Sequence, residues 1–409
     1  MSDYSPSNYV GRPIICTNPC AEVPLEDGGA CNLGSINLSR FVKDGFTPEA
    51  SIDWDQLAES SETLVRFLDN VVTWNEDLNA LPKQRQAASE TRRLGLGVMG
   101  IADMLNQLGV AYDSEQGTMM IEKVMEYITN ASYQASSFIA KEKGASSIFD
   151  EEAYMECPFV KEALSEQTHN MIRKNGLRNI AIMSIAPTGS ISNIVLGYKS
   201  EEKNYIGVSG GVEPIFSTFY TRRSESFGNK MFKVFHSTIQ AYIDKMDLQE
   251  EVDKAEDVDD VLPEFLTRTA HKIDSVKRVG VQGVIQRYID HSISSTINLP
   301  EDVEPETISD IYIKAWKNKL KGVTIYRDGS RFPILSVENK MTEFQEMKNK
   351  SFSIMQENGE TIDMVGDDIF KRPDGKLTTM YHHLKKMKTE SEDDSTTTET
   401  VATTEEVKV

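Results

Sequence analysis

The chain has 409 residues, 39% of them hydrophobic and 14 of them proline, enough apolar material for one large core or two domains. A formal charge of −20 argues against a nucleic-acid backbone as partner, since a duplex binder needs excess Lys and Arg to displace counterions. There is no run of about eighteen apolar residues, and Met1-Ser-Asp-Tyr-Ser-Pro lacks the basic and apolar stretches of a signal peptide, so the expectation is a cytoplasmic protein with no membrane partner.

Residues 1 to 46 are rich in Pro, Gly, Cys and Asn and read as loop, with a short apolar segment at Leu33-Gly-Ser-Ile-Asn-Leu. From Trp54 to about Trp74, Leu57, Leu64, Phe67, Leu68, Val71 and Val72 recur at helical spacing and predict an amphipathic helix. Arg92-Arg-Leu-Gly-Leu-Gly-Val-Met-Gly has glycines suited to close backbone packing, and Met119 to Lys143 predicts a long helix ended by Gly144. Asn179-Ile-Ala-Ile-Met-Ser-Ile-Ala reads as a strand buried on both faces that runs into the small, polar Pro187-Thr-Gly-Ser-Ile-Ser. A helix containing Ile311, Ile313, Trp316 and Leu320 precedes a further strand at Gly322-Val-Thr-Ile-Tyr. Alternating strands and helices predict an α/β architecture. The pattern weakens after about residue 345; 346–388 reads as a poorly defined extension, and 389–409, with seven acids against one lysine, as a disordered Thr/Glu-rich tail.

Four cysteines, Cys16, Cys20, Cys31 and Cys157, are too few for a disulfide scaffold, and three of them fall within sixteen residues. Asn18-Pro-Cys-Ala-Glu sets an amide, a thiol and a carboxylate at alternate positions, which on an extended loop would place all three side chains on one side. A thiol between a hydrogen-bonding amide and a proton acceptor suits chemistry. The plainer alternative is that Cys20 is a small buried hydrophobe. Zinc at Cys16 and Cys20 would need two further ligands, and no Cys-x-x-Cys or matching His pair follows. His382-His383 reads as a solvated pair in a flexible region.

Asn18-Pro-Cys-Ala-Glu-Val-Pro-Leu followed by Ala30-Cys-Asn-Leu-Gly-Ser-Ile-Asn-Leu resembles the finger-loop region of ribonucleotide reductases. Further blocks agree in the same order: Arg93-Leu-Gly-Leu-Gly-Val-Met-Gly, Ile185-Ala-Pro-Thr-Gly-Ser-Ile-Ser, Ser209-Gly-Gly-Val-Glu-Pro-Ile-Phe and Val323-Thr-Ile-Tyr-Arg-Asp-Gly-Ser-Arg. The resemblance implies the second half of the family's ten-stranded α/β barrel over residues 1–345, with a finger loop at about 12–38. It implies a thiyl radical at Cys20, a general base at Glu22, a substrate-hydroxyl hydrogen bond from Asn18 and a redox-active thiol at Cys31 whose partner lies in the other half. It also implies a substrate-phosphate loop of Ala186, Pro187, Thr188, Gly189, Ser190, Ile191 and Ser192, with Leu33 and Tyr326 near the active site. Cys16 and Cys157 match no family role and read as structural.

Family members fed by a metal-containing subunit carry two adjacent tyrosines where this chain has Tyr326-Arg327, and the wording of several blocks is closest to the adenosylcobalamin-dependent class. The expected cofactor is therefore adenosylcobalamin, with no metal bound by this chain. A Met start nineteen residues before Cys20 implies a separate polypeptide carrying the N-terminal half. No cysteine follows Cys157, which implies a thioredoxin-like or other external reductant. The contrasting reading is a decayed, non-enzymatic half-barrel with a binding or regulatory role; the joint presence of Asn18, Cys20 and Glu22 speaks against it.

Overall fold

The computed structural model describes residues 2–224, 230–330, 343–355, 361–372, 374–393 and 407–408. Two compact units are present, the first comprising Met1–Ile297 and Lys314–Thr324, the second Asn298–Ile313 and Ile325–Val409.

In the first unit, strand β1 (Cys16–Thr17) pairs antiparallel with β2 (Pro24–Leu25), making a short hairpin. Strand β3 (Asn32–Asn37) then lies parallel to β4 (Leu94–Met99) in the register Asn32↔Leu94 to Asn37↔Met99. Between them runs helix α1 (Trp54–Asn75), started by Asp53, whose carboxylate accepts from the Gln56 amide at 3.2 Å, and burying Leu57, Val65, Leu68 and Val72. Phe67, expected on that buried stripe, is instead 60% exposed. Helix α2 (Glu115–Lys143) begins at the Ser114 cap and ends at Gly144, φ +88°, in keeping with the expected stop.

The expected strand over 179–186 joins the array by parallel bridges, Leu96↔Met183 and Ile185↔Ile293, rather than by a full ladder. The reason is a competing acceptor: the buried Asp290 carboxylate takes the amides of Ile182 and Met183 at 2.7 and 2.9 Å. The array continues through Ile185 N–H to Ser292 C=O and Ser294 N–H to Ile185 C=O, and Thr324 N–H donates to Ser295 C=O. Gly97 permits this packing, for a Cβ there would lie 2.4 Å from the Ser184 oxygen. Among the described residues no sheet closes into a barrel. What is present is an open run of parallel segments covered by helices, in keeping with the α/β expectation.

Within 346–388, which the sequence pattern reads as a poorly defined extension, the described residues of the second unit form strands and a helix. Strand β5 (Ser351–Met355) pairs antiparallel with β6 (Thr361–Val365), and β7 (Ile369–Lys371) with β8 (Leu377–Thr379). Helix α3 (Met380–Asp393) packs Met380 and Leu384 against Phe352. His382 accordingly is half-buried and bonded to Thr379 Oγ1 at 2.6 Å, while His383 stacks edge-on against Phe370, so this pair is packed rather than solvated. Most of the 389–409 segment read as a tail, namely 394–406 and 409, lies outside the described residues. Among the described residues no helix is long and apolar enough to cross a membrane.

Candidate active site

The β1–β2 hairpin closes through a tight turn, not an extended loop. Ala21 takes φ +63° and its amide donates to the Asn18 carbonyl at 3.0 Å, while Asn18 Oδ1 accepts from the Val23 amide at 3.0 Å. The alternate-side argument for Asn18, Cys20 and Glu22 therefore fails, because it rests on an extended backbone and Ala21, between the last two, has a positive φ. Cys20 is exposed, against the buried-hydrophobe alternative, whereas Glu22 is only 2% exposed and its Oε2 has no hydrogen-bond partner among the described residues. The turn is anchored by its backbone: the Glu22 carbonyl accepts from the Ser292 amide at 3.0 Å and from Ser184 Oγ at 2.8 Å. A buried Oε2 without a partner among the described residues is an unmet acceptor, the kind of group a bound hydroxyl satisfies.

Cys31, just before β3, is half-buried, and burial pushes its thiol up to about 12, opposed by Arg93 and reinforced by Asp290, Glu22 and Glu26. These groups are close enough to act on one another, so the structure gathers Glu22 and Cys31 into one electrostatic neighbourhood. Leu33, 46% exposed, joins them over Gly95, where a Cβ would stand 2.4 Å from Leu33 Cδ2 and 2.8 Å from Cys31 Sγ. Cys157 is fully buried, its thiol pushed up to about 11 by burial, as a structural cysteine would be. Cys16 is exposed on β1 and so is no core residue.

A buried polar group behind Cys31 was not legible beforehand. Arg93, in the glycine-rich block, pairs with Glu26, donates to Ser7 Oγ at 2.7 Å and lies 3.4 Å from His291 Nε2. Burial, with Arg93 and Lys321 nearby, drives His291 well below its ordinary value. Lys321 donates to the Asp290 carbonyl and is lowered by burial to about 8. Nothing in the spacing of these residues signals the cluster, which five distant segments assemble.

The loop after Ile185 begins two residues past Ser184, the same serine that holds Glu22. Ala186, Thr188 and Ser192 are buried and Pro187, Gly189, Ser190 and Ile191 exposed. Thr188 has φ +54°, and its carbonyl accepts from the Ser192 amide at 2.9 Å. A Cβ on Gly189 would meet nothing within 4 Å, so this side of the loop is open. Tyr326, in the second unit, is half-buried in the strand Thr324–Arg327, and the next residue, Arg327, is gripped by Asp367 at 3.2 and 2.8 Å. Among the described residues no group of three or more His, Cys, Asp or Glu could hold a metal ion.

Residues 3–326 match the family model described as the ribonucleotide reductase barrel domain. The chain belongs to that family. It is 33% identical over 336 residues to a vitamin B12-dependent ribonucleoside-diphosphate reductase of Mycobacterium tuberculosis, covering 78% of this chain and 42% of the relative. To the protein of the same name from Thermoplasma acidophilum it is 35% identical over 337 residues, covering 80% and 39%. The class Id ribonucleotide reductase alpha subunit of Actinobacillus ureae superposes with a TM-score of 0.58 at 20% identity, covering 80% of this chain and 56% of that one, a likeness of fold. The chain thus spans about two fifths of the length of these curated relatives.

Proposed function

We propose that this chain is a catalytic part of a ribonucleotide reductase, converting ribonucleotides to 2′-deoxyribonucleotides by thiyl-radical chemistry. The observation that carries the reading is the pairing of an exposed thiol with a buried, unsatisfied carboxylate on one anchored turn. Cys20, as a thiyl radical, takes the ribose 3′-hydrogen and later returns it. Glu22 Oε2 accepts the 3′-hydroxyl proton. Asn18 offers its Nδ2 to the sugar, its Oδ1 being occupied by Val23. Cys31, with a second thiol, supplies the two electrons as the 2′-hydroxyl leaves as water, and the two sulfurs end as a disulfide. The 186–192 loop turns its open backbone to the substrate phosphates.

Two features of the chain fit adenosylcobalamin. Cys20 is exposed, within reach of a radical source from outside, and the residue after Tyr326 is a guanidinium held by Asp367, with no oxidisable ring for a tyrosine relay. When bound, the cofactor supplies the acceptor for the hydrogen atom that Cys20 gives up. The names of the B12-dependent relatives support the same assignment.

In this reading a separate polypeptide carrying the N-terminal half completes the barrel and brings the thiol that pairs with Cys31. A thioredoxin-like or other external dithiol then restores both thiols. The test is reconstitution: the two polypeptides together with adenosylcobalamin should form deoxyribonucleotide, and omission of either should stop it. Full activity from this chain alone would overturn the split arrangement. Activity indifferent to cobalamin but dependent on a di-metal protein would overturn the cofactor.

A further inference from the structure

Behind the 186–192 loop runs a second segment, 207–211, which holds the loop near both ends. The Val208 amide donates to the Ser192 carbonyl at 2.9 Å, and the Gly211 amide to Thr188 Oγ1 at 2.8 Å. The two backbones are pressed together: a Cβ on Gly210 would lie 2.7 Å from the Pro187 oxygen, and one on Gly211 2.8 Å from that of Ala186. The backing segment is itself gripped at its centre, Ser209. Its carbonyl accepts from the Gly100 amide at 2.8 Å, and its amide donates to Asp103 Oδ2 at 2.7 Å.

Asp103 is fully buried in the first turn of the helix Ile101–Gln107. Its other oxygen, Oδ1, receives Thr238 Oγ1 and His236 Nε2, the latter at 2.8 Å. Burial works against the charge, yet His236, Thr238 and the Ser209 amide together hold the carboxyl below its usual range. A buried carboxylate with three donors is a rigid post. Its partners come from the 207–211 segment and from the start of the helix Ser237–Met246, where Ser237 Oγ also bonds the Gly207 carbonyl.

We propose that Asp103, braced by His236 and Thr238, is a positioning residue for the substrate's phosphate groups, acting through 207–211 to fix the shape of the 186–192 loop. This rests on the reading of that loop as a phosphate site. No contact between Asp103 and substrate is involved, so the effect falls on phosphate affinity rather than on the radical step.

The test uses the reconstituted enzyme and two probes, a ribonucleoside diphosphate and the same nucleoside without phosphates. His236→Leu and Thr238→Val leave the carboxylate in place and each removes one brace, so both should fold even where Asp103→Asn does not. Each is expected to weaken diphosphate binding roughly tenfold, to raise KM in proportion with kcat held, and to leave nucleoside binding unchanged. Thr238→Ser, which keeps the hydroxyl, should restore it. Equal losses for both probes, or none for either, would overturn the positioning role. A parent enzyme that binds the diphosphate no better than the nucleoside would instead overturn the phosphate reading itself.

Discussion

The turn that carries Cys20 and the loop that follows Ile185 meet at Ser184 but are held in opposite ways. The turn hangs from the parallel array by one carbonyl, that of Glu22, which Ser184 and Ser292 share. Its side chains are therefore free to differ, Cys20 toward solvent and Glu22 into the interior. The loop is gripped from behind, at Thr188 and Ser192, and what it leaves open is backbone and small residues. One region works by the identity of its side chains, the other by the shape of its main chain. Substitutions in the first should strike rate, and those behind the second should strike affinity.

The comparison is most easily broken at Cys20. Cys20→Ala should abolish deoxyribonucleotide formation while thermal unfolding stays within about 0.5 kcal/mol of the parent, because the side chain is exposed. Residual turnover in that variant would remove the thiol from the chemistry. Glu22→Gln should lower kcat by about 10²- to 10⁴-fold, the usual contribution of a positioned base, with little change in KM. A change confined to KM would make Glu22 a binding group and blur the contrast between turn and loop.

Cys31 offers a third measure. With its thiol pushed from 9.0 to about 12, only a minute fraction is thiolate near neutrality. Alkylation of Cys31 at pH 8 should run about a thousandfold slower than for an unshifted thiol and climb roughly tenfold per pH unit toward 12, since the anion is the nucleophile. A rate as fast as that of a free thiol would contradict the burial.

A glycine pair sharpens the comparison further. Gly97→Ala forces a Cβ to within 2.4 Å of the Ser184 oxygen and should cost about 1–3 kcal/mol in unfolding free energy, with turnover falling because Ser184 holds the turn. Gly189→Ala, in open space on the loop, should stay within about 0.5 kcal/mol. The smallest effect belongs to the second unit: Asp367→Ala removes a partly exposed ion pair with Arg327 and should cost less than about 1 kcal/mol by denaturant titration.

By itself the sequence determined the helices at Trp54–Asn75 and Glu115–Lys143, whose periodicity and caps are local, and the tight strand contacts around Gly95 and Gly97. Ordered motif blocks were enough to place the chain in its family, as the match over residues 3–326 bears out. Only the tertiary structure decided which of Cys20 and Glu22 is exposed, because that follows from the φ +63° of Ala21 and from two donors more than 150 residues away. The same holds for the broken ladder at Ile182 and Met183, where Asp290 competes for the amides, and for the Arg93, Glu26 and His291 cluster behind Cys31. Spacing along a chain encodes contacts one or two turns away. A buried charge is defined by whatever distant segments the fold brings around it.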